Sequence, residues 1–248
     1  MLRNLLYKIE YCVSESIRKR FVLIMNIKII KEPNYSNSVF IYIKNFLSTQ
    51  EYQSILMWLD RSDDFKCNPN YTNTGYSRLQ KWYNVSGEFF CPKWKNRPEM
   101  WKSFSYNDKL IEIQNKVQAF LKSSQLSEYG IQIPTINSCL INKYRDGNDY
   151  IRPHRDTDKS FGEEPTIIGL SLGARRKIKF RRVVYNGKNS PLSCVDNMRR
   201  NLNFSNTLDP GSLFIMAGSS QRFFSHEIPK TEEECGRRYS LTFREFIG

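Results

Sequence analysis

Apolar positions divide the chain into a helical first half and a strand-rich second half. The β-branched and aromatic stretch SVFIYIKNFL at residues 38–47 predicts a strand. Ser48 with Glu51 then forms a capping box that begins a helix reaching about Asp60. In residues 107–123 apolar side chains recur near the helical period, which predicts a second, amphipathic helix. These side chains are Leu110, Ile111, Ile113, Val117, Phe120 and Leu121.

After about residue 137 the pattern changes to short apolar runs separated by turn residues. The runs that predict strands are NSCLINKY, TIIGLSLG, KIKFRRVV, GSLFIMAG, RFFSHEI and RYSLTFREF. Helices followed by many strands favour an α+β fold whose strand half is a sandwich or a barrel. The core facing the helices is expected to include Leu110, Ile113, Val117, Phe120, Ile168, Leu170, Leu172, Phe214 and Phe243. Residues 63–105 lack a clear period and predict long loops or short hairpins, which often carry function.

The composition is that of a globular protein. With 248 residues, of which 40% are hydrophobic and 14% aromatic, the chain can bury a substantial core as one domain. Its six cysteines include no C-x-x-C pair, which argues against a zinc knuckle or a disulfide framework and favours a reducing compartment. No apolar stretch approaches the roughly 18 residues of a membrane span. We expect an intracellular monomer, nuclear or cytoplasmic, with no secretion signal and no membrane segment.

The charge makes a polyanion the first partner to consider. The net charge is +13, from 38 Lys and Arg against 25 Asp and Glu. Basic residues alternate with apolar or aromatic ones in RRKIKFRR at 175–182, MRR at 198–200 and KWKNR at 93–97. Such interleaving is typical of a groove that holds phosphates and bases, although a solvated strand face has the same pattern.

The two histidines of the chain suggest a metal site. His154 lies in IRPHRDTD, and in an extended segment its side chain projects to the same face as that of Asp156. Pro153 favours that extended conformation for the residue before it. His226 follows 72 residues later in another strand-like stretch. Two imidazoles and one carboxylate form the facial triad of non-heme Fe(II) oxygenases, whereas the alternative is that each is an ordinary surface residue.

A second set of polar residues suggests a dicarboxylate site. In GRRYSLTFREF the side chains that share one strand face are Arg238, Ser240, Thr242 and Arg244. Fully extended, the outer two Cα atoms lie roughly 20 Å apart at about 3.3 Å per residue, so both guanidinium groups could bracket a small dianion. Asn142 and Tyr144 share a face of the strand before the H-x-D turn. A basic solvated strand and plain core hydrogen bonds are the alternatives.

These segments resemble the catalytic core of the AlkB family of Fe(II)- and 2-oxoglutarate-dependent dioxygenases, most closely its animal DNA-repair members. The similar segments are NKYRDGNDYIRPHRDTDKS, IIGLSLGARRKIKFR, LDPGSLFIMAGSSQRFFSHEIPK and RRYSLTFRE, which cover about residues 137–246. SRLQKWYN at 77–84 resembles the family's substrate lid, within a lid region at 63–105. The resemblance implies a double-stranded β-helix, or jelly roll, supported by N-terminal helices. This domain would span residues 36–248, after an extension of unknown role at 1–35.

The resemblance also implies ligands and roles. Fe(II) would be held by His154, Asp156 and His226, and 2-oxoglutarate by Asn142, Tyr144, Arg238 and Arg244, with O2 as the second cosubstrate. Arg238 would contact the distal carboxylate and Arg244 the carboxylate next to the keto group. The substrate residues would be Asp158 on the target base, Arg78 and Tyr83 in the lid, and Phe89 or Phe90 stacked on the base. Lys159 departs from the family, which commonly has an acidic residue there.

The implied activity is oxidative demethylation of N-alkylated bases in DNA, such as 1-methyladenine and 3-methylcytosine, with release of formaldehyde, succinate and CO2. Three alternatives stay open at this point: an RNA demethylase, a protein hydroxylase with the same chemistry, and a nucleic-acid-binding jelly roll without catalysis. The positive charge favours nucleic acid over protein, but it does not separate DNA from RNA.

Overall fold

The computed structural model describes residues 6–11, 23–32, 34–67, 78–90, 102–183 and 202–248. Its strands are β1 (Leu6–Tyr11), β2 (Leu23–Ile30), β3 (Ser38–Lys44), β4 (Lys66–Cys67), β5 (Leu79–Asn84), β6 (Ser138–Tyr144), β7 (Ile151–His154), β8 (Ile167–Gly173), β9 (Arg176–Arg182), β10 (Phe204–Leu208), β11 (Leu213–Gly218), β12 (Phe224–Ile228) and β13 (Arg238–Arg244). Its helices are α1 (Thr49–Asp60), α2 (Asp108–Ser123), α3 (Asp158–Phe161) and α4 (Ser220–Phe223), with a 3-10 turn at Leu126–Tyr129.

The strands form two sheets. The major sheet has the order β1-β2-β3-β11-β8-β13-β6-β5-β4, and the minor sheet has the order β10-β9-β12-β7. Neighbouring strands are antiparallel throughout the described ladders. An apolar layer lies between the sheets, and α1 and α2 cover the outer face of the major sheet. The predicted α+β class and its strand sandwich are confirmed.

Both predicted helices form, and their ends show why. Ser48 caps α1 by accepting from the Glu51 amide, while the Glu51 carboxylate accepts from the Ser48 amide, so the predicted capping box is present. Asn107 caps α2 through the amide of Leu110. The apolar faces of the two helices bury Ile55, Leu59, Leu110, Ile113, Val117 and Leu121.

The predicted helix-facing core is confirmed for most of its members. Leu110, Ile113, Val117, Ile168, Leu170, Leu172 and Phe243 lie in one buried cluster, and half-buried Phe120 packs against it. Phe214 is the exception, because it lies on the other face of the major sheet, in the layer between the two sheets. The two faces of β11 are both apolar, so hydrophobicity could not tell which face Phe214 occupies.

Two parts of the major sheet were not predicted. β5 lies within residues 63–105, predicted as long loops or short hairpins. Its antiparallel pairing with β4 agrees with a hairpin, whereas its pairing with β6 over six positions was not predicted. β1 and β2 lie before residue 36, and β2 pairs with β3 over seven positions. The segment regarded as an extension therefore continues the sheet. Strand pairing is a long-range interaction that a local pattern does not display, even though the sequence of β2, LIMNIKII, is largely apolar.

The structure describes three of the six cysteines of the chain. Cys67, Cys139 and Cys235 are unpaired thiols there, whereas Cys12, Cys91 and Cys194 lie outside the described residues. None of the helices in the described part of the chain has the length and apolarity that a membrane crossing requires.

Candidate metal and cosubstrate site

A cavity of about 450 Å³ opens between the two sheets. Strand alternation produces its wall, because every second side chain of β6, β8 and β13 points away from the helices and into the cavity. The polar and charged side chains that line it include Arg78, Gln80, Asn142, Tyr144, His154, Arg155, Asp156, Ser171, His226, Arg238, Ser240, Thr242 and Arg244. The residues predicted for metal and cosubstrate are thus brought to one space.

Three of these side chains form a compact ligand set. His154 ends β7, His226 lies directly opposite it on β12, and Asp156 follows in the turn after β7. One potential ligand atom from each residue lies within 4.8 Å of the others. The two imidazole centroids are 4.2 Å apart, and His154 Nε2 is 4.0 Å from Asp156 Oδ1. Two nitrogens and one oxygen at this separation can all reach a single divalent cation.

Neighbouring groups orient these candidate ligands. His154 Nδ1 lies 2.9 Å from the carbonyl oxygen of Arg152. Because a carbonyl can only accept, the proton is on Nδ1 and Nε2 presents its lone pair. The backbone amide of Asp156 donates to Oε1 of buried Gln221, a residue that no sequence motif pointed to. The buried Nδ1 of His226 has no hydrogen-bond partner within the described residues.

The electrostatics favour neutral imidazoles beside an ionised carboxylate. Burial lowers the pKa of His154, and burial followed by repulsion from His154 lowers the pKa of His226 to about 3. Burial alone would raise the pKa of Asp156. Arg244 and the two imidazoles outweigh it and hold that pKa below its ordinary value. At neutral pH the cluster therefore has the protonation state that binds a divalent metal.

Arg238 places an unneutralised cation at the other end of the cavity. Its side chain is 1% exposed, and Nη2 donates to Ser171 Oγ at 3.0 Å, beside the ring of Tyr144. Its Nε and Nη1 have no hydrogen-bond partner in the part of the chain that the structure describes. Burial lowers the pKa of Arg238 to about 10, so the group is still charged at neutral pH. Such a buried cation with open donors fits an incoming carboxylate.

Asn142 and Tyr144 also line the cavity, and β5 orients the first of them. Asn142 Oδ1 accepts from Arg78 Nε at 2.6 Å and from Gln80 Nε2 at 3.2 Å. With its oxygen engaged, the amide presents its nitrogen as a donor. Gln80 was not predicted. It has no motif of its own, and its role follows from the pairing of Gln80 with Asn142 in the β5–β6 ladder.

Arg244 contacts Asp156, a partner that was not predicted from the sequence. Its Nε and Nη2 both donate to Asp156 Oδ2, each at 3.1 Å. The guanidinium lies over the ring of Phe161 at 4.9 Å and over that of Phe90 at 5.6 Å. Arg244 therefore links the metal cluster to the remainder of the cavity, while Arg238 lies deeper. The two arginines do not form a symmetrical pair of clamps.

The predicted substrate residues are found in three different environments. Arg78 and Phe90 line the cavity, although Arg78 is only 5% exposed and contacts Asn142 rather than the mouth. Asp158 is exposed at the start of α3, and its neighbours in sequence line the cavity. Phe89 is half-buried outside the lining.

Tyr83 does not reach the cavity. It is 3% exposed on the opposite face of β5, where it packs against Phe104 and Tyr106 in the helix-facing core. On β5 the cavity face carries Gln80, and the neighbouring Trp82 packs against Phe90. Tyr83 was assigned to the lid by the family resemblance alone, and strand alternation in β5 instead sends its side chain to the helix side.

Within the basic run at 175–182, the side chains of β9 are alternately buried and exposed. In β9 the side chains of Arg176 and Arg182 are buried, 4% and 5% exposed, and Arg182 pairs with buried Glu32. Lys177, Lys179 and Arg181 alternate with them on the exposed face. These three side chains, together with exposed Arg175, are the members of the run that a phosphate backbone could reach. The runs at 93–97 and 198–200 lie outside the described residues.

Comparisons with known proteins agree with this geometry. A family model of the 2OG-Fe(II) oxygenase superfamily matches residues 39–244. The chain is 36% identical to rat (Rattus norvegicus) alpha-ketoglutarate-dependent dioxygenase alkB homolog 3 over 110 residues, which cover 44% of this chain and 35% of that protein. It is 29% identical to DNA oxidative demethylase ALKBH2 of Arabidopsis thaliana over 218 residues, which cover 82% of this chain and 65% of that protein. The chain belongs to the AlkB family.

A solved structure extends the comparison of this AlkB-family chain to the fold. The structure of OsALKBH1 superposes with a TM-score of 0.57 at 16% identity, covering 83% of this chain and 97% of that one. At so low an identity the likeness concerns the fold alone, and it confirms the predicted jelly roll. The matched region spans about a third of the rat relative's length, so activity and substrate must be argued from the site.

The residues of this AlkB-family chain fit the cofactors that the family implies, Fe(II) and 2-oxoglutarate with O2. The borderline donor set of two imidazoles and a carboxylate, with the ligand atoms within 4.8 Å of one another, suits Fe(II). The open donors of buried Arg238 fit one carboxylate of a dicarboxylate.

Proposed function

We propose that the protein is an Fe(II)- and 2-oxoglutarate-dependent dioxygenase that oxidatively demethylates alkylated bases in nucleic acid. Its preferred targets would be lesions of the 1-methyladenine and 3-methylcytosine type in DNA. The single observation that carries the proposal is one cavity that contains both a compact His154–Asp156–His226 cluster and the buried, open cation of Arg238. A binding module without catalysis has no use for either feature.

In this proposal the three clustered residues hold Fe(II) and the four predicted cosubstrate residues hold 2-oxoglutarate. Arg238 binds the distal carboxylate with its unpartnered donors, while Asn142 donates through its amide nitrogen. Arg244 neutralises Asp156 and lies near the carboxylate next to the keto group. Phe90 and Phe161 cover the guanidinium of Arg244 and keep water from it.

The cofactors supply the oxidation when bound: 2-oxoglutarate and O2 are converted to succinate and CO2 as one oxygen atom is inserted into a C–H bond of the N-methyl group. The resulting hydroxymethyl group leaves as formaldehyde when its C–N bond breaks: the ring nitrogen retains the electron pair of that bond, and the hydroxyl proton is released to solvent. No nucleophilic side chain is required for this sequence. The protein's part is to orient the two cosubstrates and the base.

Nucleic acid is the proposed substrate class for reasons of charge and access. The net charge is +13, and Arg155 and Lys159 line the cavity on the side of the H-x-D turn. The names of the relatives from Arabidopsis and human, DNA oxidative demethylase ALKBH2, support the same class. A base must leave the stack to enter such a cavity, and a methyl group on its pairing edge lowers that cost. We infer strongly salt-dependent binding.

Mass spectrometry of a single-stranded oligonucleotide carrying one 1-methyladenine tests the proposal. With Fe(II), ascorbate and 2-oxoglutarate under air, we expect loss of one methyl group and release of formaldehyde. Both should vanish in His154→Ala and when 2-oxoglutarate is omitted. Lys122→Gln, an exposed cation in the last turn of α2 on the helix side of the major sheet, is the control variant and should retain activity.

Two outcomes would redirect the proposal. Turnover of 2-oxoglutarate to succinate with an unchanged oligonucleotide would retain the chemistry and reject the DNA substrate, which would move the test to methylated RNA and then to protein. Nucleic-acid binding without any turnover would favour the non-catalytic alternative. The monomeric state, the intracellular location and a boundary near residue 35 stay predictions.

A further inference from the structure

We propose that Tyr35, Arg222 and Arg155 form a contact site for the nucleic-acid strand beside the target base. The inference rests on the proposed function and deepens it, since it assigns the binding of the flanking nucleotides to named side chains at the cavity mouth. One of them, Tyr35, precedes the region that the oxygenase family model matches, residues 39–244.

The first observation is an exposed stack of an aromatic ring and a cation. The guanidinium of Arg222, in α4, lies over the ring of Tyr35 at 4.2 Å, and its Nη2 donates to the Tyr35 hydroxyl at 3.3 Å. The ring of Phe223 meets the Tyr35 ring edge-on at 5.2 Å. Despite these contacts Tyr35 is 46% exposed, and Arg222 is exposed as well.

The second observation is the link between this stack and the cavity. Arg155 lies between the candidate metal ligands His154 and Asp156, and it lines the cavity. Its Nη1 donates to the backbone carbonyl of Arg222 at 3.2 Å. The same helix α4 supplies Gln221 to the Asp156 amide. A strand whose base enters the cavity would therefore have its neighbouring phosphates beside Arg155 and Arg222.

The third observation is that the segment carrying Tyr35 is anchored on both sides. Buried Glu32 pairs with Arg182 of the minor sheet and accepts from Ser38 Oγ. Ser36 donates to Glu164 and lies 3.1 Å from Ser219 Oγ. Tyr35 is therefore held at a defined position rather than on a loose tail.

Gly218 shows how close this segment approaches the turn before α4. Its φ is +57°, and a Cβ there would lie 2.1 Å from the carbonyl oxygen of Asn37. Only glycine fits such an approach. The Asn37 carbonyl also accepts from the Ser219 amide, so the segment that carries Tyr35 is bonded directly to the turn before α4.

The chemistry of this site matches single-stranded nucleic acid. An exposed aromatic ring stacks on any base, and guanidinium groups beside it bind phosphate oxygens in pairs. The stack of Arg222 on Tyr35 also reduces the conformational freedom that each side chain would lose on binding. Tyr35 thus provides the stacking surface, while Arg222 and Arg155 provide the charge.

Fluorescence anisotropy with a labelled, unmodified single-stranded oligonucleotide tests the inference. The protein is loaded with Mn(II) and 2-oxoglutarate, so that the cavity is filled but inert. We expect Tyr35→Ala to weaken binding about tenfold, and Tyr35→Phe, which keeps the ring, to stay near wild type. Arg222→Gln should reduce the slope of log K against log salt by about 0.7, the value for one phosphate contact on a single strand.

Arg61→Gln is the matched control. Arg61 is an exposed cation at the end of α1, on the helix side of the major sheet, and its loss should change neither affinity nor slope. Titration with 2-oxoglutarate checks that each variant is folded. If wild type binds and demethylates while Tyr35→Ala and Arg222→Gln bind equally well, the inference is overturned and the proposed function stands. If wild type neither binds nor demethylates nucleic acid, both fall together.

Discussion

The two faces of β13 carry side chains of opposite polarity on one backbone. The helix side carries Tyr239, Leu241 and Phe243, all with no measurable exposure, in the largest apolar cluster. The cavity side carries Arg238, Ser240, Thr242 and Arg244. The helix side is closely packed with apolar groups. The cavity side keeps two buried guanidinium groups, and one of them, that of Arg238, has open hydrogen-bond donors among the described residues.

Residues that stabilise the fold and residues that line the cavity are therefore neighbours in β13. Strand alternation, rather than distance, separates them. Burying a guanidinium whose donors are unmatched costs free energy, and the apolar face of the same strand offsets that cost. The two faces should then respond independently to substitution, since side chains on opposite faces share no partner. Four substitutions can break or sharpen that contrast.

Phe243→Ala should produce the largest effect and only on stability. Removing a fully buried aromatic ring leaves a cavity in the helix-side core, and we expect the free energy of unfolding to fall by about 3–5 kcal/mol. Urea denaturation measures the loss. The affinity of the folded fraction for 2-oxoglutarate, determined by calorimetry with Mn(II), should stay as in wild type. A large change in that affinity would show that the two faces are coupled.

Arg238→Met should have the opposite effect to Phe243→Ala, because it should weaken ligand binding without lowering stability. The affinity for 2-oxoglutarate should fall by about 2–5 kcal/mol, because one partner of a buried charge pair is removed. Without ligand, the free energy of unfolding should stay the same or rise by about 1–3 kcal/mol, because the buried donors without partners are removed.

The adjacent Arg237→Met is the control for Arg238→Met. Arg237 is about half exposed and pairs with Asp60 beside α1, so its loss should leave the affinity for 2-oxoglutarate unchanged. An Arg238→Met protein that still binds 2-oxoglutarate normally would contradict the assigned role of the cavity side.

The sequence predicted those features that a period or a spacing encodes. His154 and Asp156 stand at i and i+2 of an extended segment, and the strand period brings Arg238 and Arg244 to one face. The cap at Ser48 follows from local backbone hydrogen bonding. Each of these depends on neighbours within a few residues, so the sequence alone contains the information.

Features that depend on contacts between distant parts of the chain could not be predicted. Gln80 reaches Asn142 because β5 pairs with β6, and Gln221 reaches the Asp156 amide across 65 residues. Neither glutamine belongs to a motif. The family resemblance assigned Tyr83 to the lid, whereas strand alternation sends its side chain to the helix side. Long-range pairing places these side chains, and a single sequence does not display it.

Gln221→Leu should have an intermediate effect, confined to the cavity side. Gln221 accepts from the Asp156 amide and so positions a candidate metal ligand without touching the metal. Loss of such a support typically weakens metal affinity 10- to 100-fold, and we expect that range for Mn(II) binding by calorimetry. Gln114→Leu removes a comparable side-chain hydrogen bond, to the carbonyl of Ile136 on the helix side, and should leave metal affinity unchanged. Equal losses in both variants would indicate a general effect on stability.

Ser48→Ala should have the smallest effect, and only on the helix side. It removes the cap of α1, in which Ser48 Oγ accepts from the Glu51 amide, and we expect a loss of about 1 kcal/mol in the free energy of unfolding. Ser48→Asp keeps an oxygen acceptor and should retain most of that free energy. Because α1 packs against the face opposite the cavity, the double variant Ser48→Ala with Arg238→Met should show stability changes that add within about 0.5 kcal/mol. A larger departure from additivity would mean that the strand transmits strain between its faces, so that alternation would not separate chemistry from stability.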